Sequence, residues 1–195
     1  VWLFAALVAA LKTGVMRTFL RMKNERPRRL PPEFRDDEVR YADELVATFL
    51  RRYTRPGDLV FDPFAGFGTT LIVAEALGRI PLGIEIEAAR VAYIRGQLAR
   101  PDAVIHGDSR RLGDYPIPPV DFIMTSPPFM AHGDAEDPLT NYHEAVASYE
   151  TYLQTLTSIF AQARRLLKPT ARVAIEVANL KGPAGVTPLG WEGAR

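Results

Sequence analysis

Cysteine is absent from this 195-residue chain, histidine occurs three times, and 24 basic residues are matched by 23 acidic ones. Without cysteine there is no disulfide, no thiolate metal site and no cysteine nucleophile, and the composition suits a reducing cytoplasm. No second histidine stands at metal-ligand spacing from His106, so no metal is expected. A formal net charge of +1 provides no whole-molecule field, and an anionic partner would have to be met by local clusters. Long apolar runs are lacking too. The opening stretch from Val1 to Leu11 is broken at Lys12, well short of the roughly 20 residues that cross a bilayer. Its basic residues follow the apolar run, the reverse of a signal peptide, so it reads as a packing helix with no membrane role. No internal repeat or low-complexity tract is evident.

What is present is the composition of a soluble globular domain, 47% hydrophobic and 24% charged, of a length that favours one core. The chain begins at Val1 and not at Met, so further residues are expected upstream. Residues 1–22 carry helical spacing. A basic segment follows, Arg17, Arg21, Lys23, Arg26, Arg28 and Arg29, in which Pro27, Pro31 and Pro32 bar a helix. Residues 1–35 are therefore set apart from a main domain over 36–195. The apolar spacing of Val39, Leu45, Val46, Phe49 and Leu50 predicts a helix over 36–53. Beyond the Pro56-Gly57-Asp58 turn, strands are predicted over 59–61, 81–86, 103–105, 120–124 and 172–177. Helices are predicted over 69–78, 88–99 and 143–167. This alternation implies an α/β fold with a doubly wound, mostly parallel sheet and right-handed crossovers. Ligands then collect beyond the carboxyl ends of the strands, where every motif discussed below lies.

The most informative stretch is Asp62-Pro63-Phe64-Ala65-Gly66-Phe67-Gly68-Thr69-Thr70, a strand running into a glycine turn that opens a helix. Gly66 and Gly68 allow a nucleotide-like ligand to lie against the backbone, with helix N-terminal amides and the Thr69 and Thr70 hydroxyls available to it. Leu71 replaces the third glycine of a dinucleotide fingerprint, and no lysine follows Gly68 as a phosphate loop requires. The second strand ends in Glu85-Ile86-Glu87, where a carboxylate can accept both hydrogen bonds of a ribose diol or simply favour the next helix's N-terminus. Gly107-Asp108-Ser109 follows the third strand and on its own reads as a turn or cap. After the fourth strand comes Thr125-Ser126-Pro127-Pro128-Phe129. An exocyclic amine on an aromatic base is a poor nucleophile, because its lone pair is delocalised. The Ser126 hydroxyl and the Pro127 carbonyl, preorganised by the two rings, can accept its N–H bonds and draw the nitrogen toward sp³ geometry. Phe129 can stack on a base that has left a duplex or is single-stranded.

In this order the two motifs resemble those of the S-adenosylmethionine-dependent DNA amino-methyltransferases, over roughly residues 38 to 180. The resemblance implies a Rossmann-like methyltransferase fold with S-adenosyl-L-methionine as cofactor. Asp62, Phe64, Ala65, Gly66, Gly68, Thr69 and Thr70 would form the cofactor loop. Glu85 would bind ribose beside Ile86, and Asp108 beside Ser109 would accept from the adenine amino group. Ser126, Pro127, Pro128 and Phe129 would be catalytic. Ser-Pro-Pro leans toward cytosine N4, as in site-specific modification methylases of restriction systems; adenine N6 and RNA bases are the alternatives, as is a silent nucleic-acid-binding subunit. Arg40 or Tyr41 would approach the methionine carboxylate or belong to a solvated helix face. The basic run would grip phosphates or serve as a linker. With only residues 178–195 after the fifth strand, the closing strand pair of such folds is expected to be truncated or disordered.

Overall fold

The computed structural model describes residues 28–34, 40–131, 134–146 and 148–177, with the backbone of 180–182 and 185–187. The helix expected over 1–22 and most of the basic run lie outside these residues. The elements are α1 (Asp43–Tyr53), β1 (Leu59–Asp62), α2 (Thr69–Ala76), β2 (Ile80–Glu85), α3 (Ala88–Gln97) and β3 (Val104–His106). They continue with β4 (Val120–Thr125), α4 (Tyr149–Arg165), β5 (Leu167–Ile175), β6 (Leu180–Gly182) and β7 (Gly185–Thr187). Strands β1 to β5 form one parallel sheet in the order β3-β2-β1-β4-β5. The chain therefore winds outward from β1 one way and then from β4 the other. A crevice opens where these two directions part, at the carboxyl ends of β1 and β4.

Strand alternation divides the core. Val60, Phe122 and Met124 face α1 and α2, packing with Val46, Phe49 and Leu50. Phe61 and Ile123, one residue along, face the opposite side and pack with Tyr152, Leu156 and Ile159 of α4. Helix α3 packs Val91 and Ile94 against Leu71 and Val104. Residues 28–34 also lie against this body: Leu30 is buried, and Phe34 meets Phe67 and Tyr93 edge-on at 5.4 and 6.0 Å.

Several boundaries differ from the expectation. Helix α1 begins at Asp43 and not at Asp36, since residues 40–42 just before it are not helical. Helix α4 begins at Tyr149 and not near His143, because Ser148 caps it by accepting from the Thr151 amide at 3.2 Å. The residues before it fold back on themselves, with Glu136 bridged to Ala145. Strand β5 begins at Leu167, five residues early. Its pairing with β4 jumps from Val120↔Leu167 to Phe122↔Arg172. That irregularity holds Pro169, which has no N–H to give a ladder. Lastly, β6 and β7 pair antiparallel in a two-stranded sheet of their own. Among the described residues, no antiparallel strand joins the five-stranded sheet.

Candidate active site

At the carboxyl ends of β1, β2 and β4 lies a cavity of about 550 Å³, a volume typical of small-molecule sites. Its first wall is the glycine turn. Gly66 takes φ +54° and Gly68 φ +73°, the left-handed region that glycine enters without strain. A Cβ at Gly68 would come within 2.9 Å of the Ile94 side chain, so this glycine also lets α3 pack on α2. Phe64, Ala65, Gly66 and Thr69 line the cavity, and Gly68 lies behind it.

Glu85 closes the next wall. It is buried, and its two oxygens accept from the Gly66 amide at 2.7 Å and the Glu87 amide at 2.9 Å, with Arg90 3.9 Å away. Burial pushes its carboxyl above the ordinary range, while those amides and Arg90 act the other way. Each oxygen keeps a second lone pair, so the group can still accept from a diol. Ile86 and Ser109 line the same wall. The Ser109 hydroxyl donates to the Pro63 carbonyl, tying the β3 end to the glycine turn.

Asp108 does not line the cavity. Its carboxylate accepts from the Arg110 amide and pairs with the Arg110 guanidinium at 2.7 Å. Asp62 and Thr70 are also turned inward, and their work is to join the two motifs. Asp62 accepts from the Thr125 hydroxyl at 2.6 Å and the Phe64 amide at 3.0 Å, and Thr70 donates to the Met124 carbonyl at 3.1 Å. The Tyr41 hydroxyl completes the cluster, bonded to Asp62 at 3.2 Å and to Thr70. Burial raises both the Asp62 carboxyl and the Tyr41 phenol. The glycine turn and the proline corner thus share one buried hydrogen-bonded hinge.

All four residues of the corner, Ser126, Pro127, Pro128 and Phe129, line the cavity. Two contacts hold the corner in place. Tyr152 of α4 donates to the Pro128 carbonyl at 3.0 Å, and the Ser126 hydroxyl donates to Glu176 at 2.6 Å. Glu176 is buried at the carboxyl end of β5, where its amide is bonded to the Thr125 carbonyl at 2.8 Å. With its proton given to Glu176, Ser126 presents lone pairs to whatever enters the cavity.

Residues 25–95 match the DNA methylase family model. The DNA adenine methyltransferase YhdJ of Escherichia coli K12 is 37% identical over 87 residues, which is 45% of this chain and 29% of that protein. The type II methyltransferase M.BglII from Bacillus subtilis is 42% identical over 49 residues, 25% of this chain and 14% of the relative. The chain thus spans under a third of the length of the curated relatives it matches. Among solved structures, TrmN from Thermus thermophilus superposes with a TM-score of 0.53 at 26% identity, covering 71% of this chain and 39% of that one. An rRNA methylase from Streptococcus thermophilus gives 0.52 at 14% identity, with 78% and 81% covered. The fold is the Rossmann-like fold of methyltransferases.

Sequence reasoning missed Glu176 and Tyr152, and it read the stretch from Met130 to Tyr142 only as a polar loop placed to cover or read the target, without singling out Asn141 or Tyr142. The signal for Glu176 was a lone carboxylate at the end of a parallel strand. The others come from packing between distant segments. Arg40 and Tyr41 both reach the cavity, so the segment before α1 is a wall and not a solvated face. Among the described residues, no cluster of metal-binding side chains occurs and no helix is long and apolar enough to cross a membrane.

Proposed function

We propose that this protein transfers the methyl group of S-adenosylmethionine to an exocyclic amine of a DNA base, cytosine N4 foremost. One observation carries the reading: the glycine turn and the Ser126–Phe129 corner line a single cavity. The family match over the glycine turn and the two DNA methyltransferase relatives support it. The left-handed Gly66 backbone and the Glu85 carboxylate suit a nucleoside, with Thr69 and Tyr41 beside them. When bound there, the cofactor supplies an electrophilic methyl group. Ser126 and the Pro127 carbonyl accept from the amine and localise its lone pair, while Phe129 stacks on the base and orients it. Glu176 holds the Ser126 proton and is placed to take the amine's proton through that hydroxyl. Asp62, Gly68 and Thr70 act by shaping the two turns. A restriction-modification setting in the cytoplasm belongs to the same proposal.

The choice of cytosine N4 rests on Ser126 before the prolines; adenine is the base named for YhdJ, and adenine N6 is the alternative within DNA. Methylation of an RNA base is the second reading, favoured by the likeness to an rRNA methylase structure. Incubation with methyl-labelled cofactor and separate unmodified DNA and RNA pools, followed by mass analysis of nucleosides, decides among them. The expected product is N4-methylcytosine in DNA. Methyl-labelled RNA alone moves the function to the second reading, and no labelled nucleoside in either pool leaves a silent binding subunit.

A further inference from the structure

Between the proline corner and α4, residues 134–146 form a strap across the end of the cavity nearest the cofactor strands. It is clipped at two points. His143 Nε2 lies 3.0 Å from a Glu87 oxygen, and Glu144 lies 3.3 Å from Arg110. Glu87 stands two residues beyond Glu85 at the end of β2. Arg110, beyond β3, is the residue that holds Asp108. From below, Leu139 is anchored in the core.

The strap is folded tightly: Asp137 N–H donates to Glu144 O at 2.8 Å, Tyr142 N–H to Asp137 O at 3.0 Å, and Val146 N–H to Ala135 O at 3.0 Å. These bonds impose left-handed φ angles on two successive non-glycine residues, +54° at Asn141 and +63° at Tyr142. Asparagine accepts that region readily. Tyrosine does not, and such strain persists only where surrounding structure enforces it. The outcome is a half-exposed aromatic side chain lining the cavity, within electrostatic reach of Arg90.

We infer that Tyr142 is a cofactor-binding residue, laid by the clipped strap over the nucleoside end of the cavity, and that the strap must lift for cofactor exchange. The inference rests on the methyl-transfer reading. A planar adenosyl group beneath the ring would remove apolar surface from water on both partners. Both clips join exposed side chains: Arg110 and Glu144 form an ion pair, weak and screened by salt, and His143 and Glu87 share a single hydrogen bond, as suits a strap that opens repeatedly.

Calorimetric titration of the whole chain with S-adenosylhomocysteine, adenosine and methionine tests this. Tyr142→Ala should weaken S-adenosylhomocysteine and adenosine by about tenfold and leave methionine unchanged. Tyr142→Phe should bind as the wild type does. His143→Ala should speed release of S-adenosylhomocysteine in stopped flow, as should added salt. Tyr142→Gly guards against misfolding: it keeps the left-handed backbone without strain, so its melting temperature should not fall although its affinity does. Wild-type binding with unaltered affinity in both Tyr142→Ala and Tyr142→Gly overturns the inference alone. Failure of the wild type to bind S-adenosylhomocysteine overturns it together with the methyl-transfer reading.

Discussion

The Ser126 hydroxyl donates its proton to Glu176 across 2.6 Å, joining residues 50 positions apart at the ends of neighbouring strands β4 and β5. That bond determines what Ser126 can offer a substrate. A serine that donates elsewhere can only accept from an incoming amine, which is the polarity needed to localise the nitrogen lone pair.

Glu176→Gln should therefore lower kcat on nucleic acid by about 100-fold. The affinity for S-adenosylhomocysteine should stay within twofold, since the Glu176 side chain accepts from Ser126 of the corner. Steady-state kinetics beside calorimetry reads both quantities. An unchanged kcat would remove Glu176 from the mechanism.

Phe129→Ala should raise KM for nucleic acid and lower turnover, with a combined loss of about 10- to 100-fold in kcat/KM, because base stacking is worth ~1–3 kcal/mol. Ser126→Ala should instead act on kcat with little change in KM. If the two variants gave the same pattern, the division between stacking and accepting would be wrong.

Gly66→Ala and Gly68→Ala should separate binding from folding. At Gly66 a Cβ meets nothing closer than 4.0 Å but sits in a left-handed backbone on the cavity wall. It should cost about 1 kcal/mol of stability and weaken S-adenosylhomocysteine more than tenfold. At Gly68 the added methyl collides with Ile94 at 2.9 Å besides the strain, so the melting temperature should fall further. Thermal melts with and without ligand compare the pair.

Asp62 gives a pH prediction. Burial is the main cause raising its carboxyl above the ordinary value near 3.8. The folded chain then holds this proton more tightly than the unfolded chain does. Its contribution to stability is greatest below the ordinary carboxylate range and is lost as pH rises through the folded value. Asp62→Asn does not titrate. The melting temperature of wild type relative to Asp62→Asn should therefore decline from acid toward neutral pH. Glu85 shifts in the same direction and remains in both chains, so its own burial cancels in the difference; the Asp62 charge is the smallest of the causes that shift it. A difference that is flat with pH would contradict the burial argument.

The alternation of strands and helices, the glycine turn and the proline corner were legible in the residues alone, because each is written in local chemistry. Strand residues alternate between two core faces, glycine enters φ +54° or +73° without strain, and proline fixes its own backbone wherever it falls. Which of those residues face the cavity was settled by packing in three dimensions. Asp62, Thr70 and Asp108 carry the right groups at the right ends of strands. Their orientation follows from partners far along the chain, Thr125 and Tyr41 for the first two, and from the local Arg110 guanidinium for the third. Glu176 and Tyr142 entered the site by the same route, through strand pairing and through a strap whose clips reach β2 and β3. Hydrogen bonds and ion pairs between segments depend on relative position in space, and local sequence patterns carry no measure of that.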